Sequence, residues 1–373
     1  MSSEKSRSHG IGNSIAEAGQ DTRLHHLDAL RGLAALGVAI HHSLYAFKGI
    51  PINEYVRGLF GDAPVIFFFL LSGFVLSRSL NKGDNLTLKG ILGYNVRRVF
   101  RLYPAVVVAL IFSAIAAKFY VLPAGWTPAT EWLQYFIKSA SSLDTLRDYA
   151  NALAFKDTRL DNPLWTIKIE FVCSFLLPFL VLALRQMPAL IMPSGALLAF
   201  YMGVMPTSYP PLYLFAFYMG YLVERYAQVL RQMPVRLAQW ILFFCGLQLI
   251  FAVQGLFNWA GETIVLGGVL AVMVPCNWPR LKAFLLTPLL QFLGRISFSF
   301  YLLHIPVFFL CWAFLQTRLP GLLCARQEAI PVTVILLLSL GLTAGLAAIC
   351  ERIVEQPFNK IGHRLAGRWF RIP

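Results

Sequence analysis

Charge is scarce in this chain. Asp, Glu, Lys and Arg make up 13% of its 373 residues, against 57% hydrophobic residues, and the mean hydropathy is +0.63. That balance excludes a water-soluble domain and points to an all-α, polytopic integral membrane protein with lipid as its first partner. Acidic residues are scarcest, 18 against 32 basic ones, for a net charge of +14. An excess of that sign also suits nucleic acid, but the basic residues recur between hydrophobic spans instead of forming one patch, so no nucleic-acid partner is expected. No CxxC pair occurs among the six cysteines; five fall in hydrophobic spans and read as small packing residues, with neither a disulfide framework nor a metal site expected. Walker, GxSxG, GxGxxG and HExxH motifs are missing too, which argues against nucleotide hydrolysis, serine-hydrolase chemistry of the soluble type, dinucleotide binding and zinc proteolysis. There is no internal repeat of fixed period.

What is present is a series of apolar runs. A window of about 20 residues per crossing gives about ten transmembrane helices: Leu27–Phe47, Ala63–Leu80, Leu102–Leu122, Pro163–Leu184, Ala189–Met205, Pro210–Leu230, Val235–Gln254, Ala260–Trp278, Ile296–Gln316 and Ala329–Val354. Of the 32 Lys and Arg, twenty then fall in inner segments and nine in outer ones, while Arg31, Lys168 and Arg295 lie within or at the edge of spans. The asymmetry predicts both termini in the cytoplasm. Residues 1–23 are polar and lack an apolar signal-peptide core, so they read as a disordered cytoplasmic tail. Residues 24–360 form the transmembrane domain, and 361–373 a basic cytoplasmic tail. Two connections are long. The inner loop Asn81–Arg101 ends in the run RRVFRLYP, and the outer segment Pro123–Asn162 carries amphipathic stretches and the acids Asp144, Asp148, Asp157 and Asp161, as a lid or binding element would.

Ionisable groups inside the spans carry the functional signal, because they are costly in lipid and face a cavity or partner. Arg31 and His42 stand eleven residues apart, close to three turns, so they share one face of the first span about 16 Å apart; His41, a further 100° round, points elsewhere. Glu170 in PLWTIKIEFVCSF lies within a few Å of the depth of His42. It is therefore a candidate carboxylate partner for a histidine general base, with an ion pair to Lys168 or Arg31 as the competing reading. Arg98 and Arg101 share a face at the inner mouth of the third span. They suit phosphate oxygens, or serve equally as topology anchors. Ser297, Tyr301 and His304 recur near helical spacing in the ninth span, either lining the same chamber or packing round Pro306.

In order along the chain, these residues fall in motifs that resemble those of the membrane acyltransferase family 3. LDALRGLAALGVAIHH is similar to its first-helix signature, whose Arg-to-His spacing selects His42. FFFLLSGFVLS, with Ser72, resembles its second-span motif. Arg98–x–x–Arg101 followed by Leu–Tyr–Pro, Trp165–Thr–x–x–x–Glu170, LGRISFSFYLLHIPV and Glu355–Gln–Pro357 resemble four more, with Thr166 and Lys168 as modest departures. The resemblance implies a bacterial inner-membrane enzyme, without a fused esterase-like domain. Such an enzyme moves an acyl group, expected to be acetyl, from cytoplasmic acyl-CoA as co-substrate to a hydroxyl of a glycan, lipid-linked sugar or similar acceptor, as in polysaccharide O-acetylation. It implies Arg31, His42 and Glu170 as catalytic residues, Arg98 and Arg101 as contacts to the CoA phosphates, and Ser72, Trp165, Tyr301 and His304 as chamber residues. Transfer is expected to be direct, with an acyl-histidine relay open beside it, as is a homo-oligomeric state. The rival reading is an ion-coupled transporter or flippase using His42 and Glu170.

Overall fold

The structure is a computed structural model. It describes residues 24–47, 62–81, 86–121, 130–204, 209–251, 267–270, 278–319 and 329–370. Those residues are all-helical: α1 (His25–Tyr45), α2 (Asp62–Leu80), α3 (Leu88–Ala117), α4 (Glu131–Ser141), α5 (Leu146–Leu153), α6 (Leu164–Gln186), α7 (Ile191–Val204), α8 (Tyr209–Arg225), α9 (Ala227–Arg231), α10 (Val235–Phe251), α11 (Pro279–Leu285), α12 (Pro288–Arg318), α13 (Ala329–Cys350) and α14 (Gln356–Phe370).

Five helices among the described residues are long and apolar enough to cross a membrane: Ala63–Leu80, Leu88–Ala117, Leu164–Gln186, Pro288–Arg318 and Val332–Phe370. Rows of large apolar side chains on their outer faces are exposed, such as Ile111 and Ile115 along α3 and Val172, Leu176 and Phe179 along α6. At helical spacing, such rows are surfaces for lipid. The chain is thus a multi-pass membrane protein. α1 does not meet the same standard, because Asp28, Arg31 and four histidines lower its hydropathy, yet most of it is buried in the bundle. Of the other expected spans, Ala189–Met205 and Val235–Gln254 correspond to the shorter α7 and α10. Pro210–Leu230 is divided into α8 and α9, and Ala260–Trp278 lies mostly outside the described residues.

The sequence reading placed RRVFRLYP at the end of a loop. Instead the third span begins earlier, and α3 runs unbroken for 30 residues. Thr87 caps it by accepting the Gly90 N–H at 3.1 Å, one of the orphan donors at a helix start, and Pro104 is accommodated inside it. Arg98 and Arg101 therefore project from a helix within the bundle. The expected basic tail is helical through Phe370 and packs on α3, where Gly362 leaves room for Phe100.

α12 is the central post, packed most extensively on α1 and then on α13 and α3, while α2 packs on α8. Both main crossings are made through glycines. A Cβ on Gly32 would lie 2.5 Å from the Gly294 nitrogen, and one on Gly73 would lie 2.0 Å from the Phe217 oxygen. Small residues let backbones touch, which is how helices associate where no hydrophobic drive is available. Gly32 meets Gly294, and ten residues on in both helices His42 meets His304, so α1 and α12 run in the same direction. Between α13 and α14 the chain forms one π-helical turn, Glu351–Glu355. Pro357 accounts for it: the ring has no N–H and clashes with the carbonyl four residues back, at Ile353, which opens the helix there.

Candidate active site

Two cavities share the Arg31 end of the bundle. The inner chamber spans about 700 Å³ including open solvent and is lined by Arg31, Ser72, Arg98, Arg101, Glu170 and Tyr301, with Phe68, Thr166 and Ser297. The second, about 1640 Å³ including open solvent, is a vestibule bordered among the described residues by Arg31, Arg78, Arg101, Arg295 and Lys360 against two acids, Asp28 and Glu351. Arg31 and Arg101 line both, so they stand at the junction.

Four arginines at this end are each steered by a carboxylate. Arg31 pairs with Asp28 one turn earlier in α1. Arg98 donates to Glu170 Oε1 at 2.8 Å and to Ser174 Oγ at 2.9 Å, and Ser72 Oγ makes a long contact to the same Glu170 oxygen at 3.4 Å. Arg101 approaches Glu355 at 3.2 Å, and Arg295 approaches Glu351 at 3.8 Å. Glu355 has a fully buried side chain and also accepts from the Ser299 amide at 3.2 Å and its hydroxyl. The π turn thus aims both its glutamates at arginines. A carboxylate buried that deeply needs these partners.

The other end is built of rings. His42 Nδ1 and His304 Nε2 are 2.9 Å apart in nearly parallel rings. Trp132 of α4 stacks on His42 with centroids at 5.5 Å and 13° between planes, an offset arrangement favoured by aromatic quadrupoles. α4 is held there because the Thr130 amide and hydroxyl both donate to the Ala46 carbonyl just past α1, at 3.0 and 3.2 Å. The apolar side of α4, Leu133 and Ile137, joins Phe47, Phe308 and Trp312 in one buried cluster. His41 stacks on Tyr45 at 5.6 Å and meets His42 only edge-on, with centroids at 5.5 Å. Tyr301 joins the two ends. Its hydroxyl lies 2.9 Å from that of Thr166 in the chamber wall, and its ring lies 5.7 Å from His304.

Set against the sequence expectations, Ser72 and Tyr301 do line the chamber, whereas Trp165 packs on Tyr213 at 5.2 Å and His304 sits behind Tyr301 as the partner of His42. The expected pairing of His42 with Glu170 is not formed, because Glu170 faces Arg98. Nor does Glu170 bond Lys168 or Arg31. Sequence reasoning also missed Trp132, whose only signal was the amphipathic pattern of the 123–162 segment, and the vestibule residues Arg78 and Lys360, which looked like ordinary topology charges. In that segment Asp161 is buried with neither carboxylate oxygen bonded, and burial holds its carboxyl well above the usual range.

No curated protein and no solved structure matches the chain. Residues 24–351 match the profile of the acyltransferase domain of acyltransferase family 3. That match takes in every residue of the chamber and the histidine pair, and covers nearly the whole length; the chain belongs to this family of acyltransferases.

Proposed function

We propose that the protein is a membrane O-acyltransferase. It moves an acyl group, acetyl in the simplest case, from cytoplasmic acyl-CoA to a hydroxyl of a glycan, lipid-linked sugar or similar acceptor, in the inner membrane of a bacterium. About ten spans with both termini in the cytoplasm belong to this reading. The observation that carries it is the polar path through the apolar bundle. A basic vestibule opens through Arg31 and Arg101 into the inner chamber, and an imidazole pair stands behind the chamber's far wall.

Phosphates of the donor are met by Arg78, Arg295 and Lys360 in the vestibule. Arg98 and Arg101 lie deeper and are already turned towards Glu170 and Glu355, so they fit the pantetheine and thioester end better than the diphosphate. His42 takes the proton from the acceptor hydroxyl as its oxygen attacks the thioester carbon. The C–S bond then breaks, and the imidazolium returns the proton to the departing thiolate, leaving ester and free CoA thiol. Arg31 and Arg101 at the junction steer the donor arm towards the chamber. Glu170, bonded to Arg98, fixes that guanidinium and is not itself a base.

Protein reconstituted in vesicles is given radiolabelled acetyl-CoA, and mass spectrometry of surface glycans from cells with and without the protein identifies the acceptor. Transfer should fall about 10³-fold or more in His42→Ala while acetyl-CoA binding persists. Undiminished transfer by His42→Ala would sink the assignment.

A further inference from the structure

We infer that His304 is a positioning residue that sets the tautomer of His42 and so decides which nitrogen can act as base. The inference rests on His42 being the base of the proposed transfer.

The proton positions follow from a chain of contacts with one fixed end. His304 Nδ1 lies 2.6 Å from the Tyr301 carbonyl oxygen. A carbonyl only accepts, so His304 Nδ1 carries the proton, and in a neutral ring its Nε2 is then a lone pair. That lone pair faces His42 Nδ1 at 2.9 Å, so the proton between the two rings belongs to His42 Nδ1. His42 Nε2 is left unprotonated, without a hydrogen bond to any described residue. This is the tautomer that free histidine in water populates less, and here the backbone of α12 enforces it from two residues away. When Nε2 takes the hydroxyl proton the charge on His42 strengthens the Nδ1–H bond to His304, because a charge-assisted bond is the stronger one.

Local structure keeps the relay in line. Tyr301 and His304 are one turn apart in α12, so the ring folds back on its own helix, and Pro306 follows within the same helix. Trp132 covers one face of His42 and holds its plane nearly parallel to that of His304. With its phenol in the chamber wall and its carbonyl on His304, Tyr301 ties the shape of the chamber to the state of the base.

The experiment compares His304→Met, which fills the space but offers His42 Nδ1 no good acceptor, with His304→Gln, whose amide oxygen reaches about as far as Nε2. Nitrogen NMR of histidine-labelled protein in nanodiscs, with His42→Gln used to assign the signal, reads the tautomer without any turnover. Wild type and His304→Gln should show His42 protonated at Nδ1, and His304→Met should move the proton to Nε2. In parallel, kcat should fall about 10²-fold or more in His304→Met, recover in part in His304→Gln, and leave the KM for acetyl-CoA within about twofold. Protonation of His42 at Nε2 in the wild type, or unchanged kcat in His304→Met, overturns the inference. An active His42→Ala overturns the proposed function instead, and the NMR result stands apart from it.

Discussion

At its Arg31 end, α1 enters a region of paired charges: Arg31 with Asp28, Arg98 with Glu170, Arg101 with Glu355, Arg295 with Glu351. Eleven residues on, at His42, the neighbours are the rings of His304, Trp132 and His41, with Tyr45 and Phe309 against Trp132. The first region suits recognition of a highly charged donor, since guanidinium groups stay charged and are held in place by their carboxylates. The second suits proton transfer, since a base has to present a neutral nitrogen and a nearby ammonium or carboxylate would disturb it. The contrast teaches that one helix can serve both tasks because about three turns separate them.

The comparison can be broken most severely at the charged end. Removing the carboxylate in Glu355→Ala strands Arg101 in the bundle and should cost about 3–5 kcal/mol, as a loss of thermal stability in detergent. A double replacement of Arg101 and Glu355 by apolar residues should recover much of that loss. Recovery failing in a protein that still inserts would mean Glu355 acts on Ser299 alone. Next in size is the vestibule. Arg78→Ala combined with Arg295→Ala should raise the KM for acetyl-CoA about tenfold while kcat holds, and added salt should shrink the difference, because exposed charges are screened. A loss confined to kcat would move the donor site elsewhere. At the ring end, Trp132→Ala removes one stack worth about 1 kcal/mol, and kcat should fall about fivefold with donor KM unchanged.

The smallest effect separates two acids of the outer segment by sign. Arg159 hydrogen-bonds Asp157 and holds its carboxyl below the usual range. Its stabilisation, at most about 0.5 kcal/mol for a pair with an exposed arginine, is present above pH ~4 and lost as pH falls. Asp161 is held above the usual range by burial, so its contribution is present below pH ~4 and lost as pH rises. Melting curves of Asp157→Asn and Asp161→Asn across pH should therefore diverge from the wild type on opposite sides.

Much of this was legible in the residues. Composition alone shows a helical membrane protein, and helical spacing alone puts Arg31 and His42 on one face and His41 on another. Rise per residue also set Glu170 near the depth of His42, but depth carries no azimuth. α6 turns Glu170 towards α3, and only packing decides that. The partner that His42 does have, His304, was visible as a polar stripe on α12 with nothing in the spacing to link it across 262 positions. Trp132 was hidden by a different limit, since the docking of a short amphipathic helix depends on what it covers. Glu355 stood in a recognisable motif, but its role needed the π turn, and one extra residue in a turn leaves no periodic trace.

The glycine crossing of α1 and α12 has a consequence for timing. Gly32–Gly294 and His42–His304 are two points of contact between helices running the same way, each ten residues from the other, about 15 Å along the axis. Two struts bolted at two points cannot slide past each other. A slip of one position would swing a histidine by about 100° and also drive Cβ atoms into backbone at the crossing. The span between the entry arginine and the imidazole pair is therefore set when the helices assemble, and each catalytic cycle starts from a gauge already cut to length.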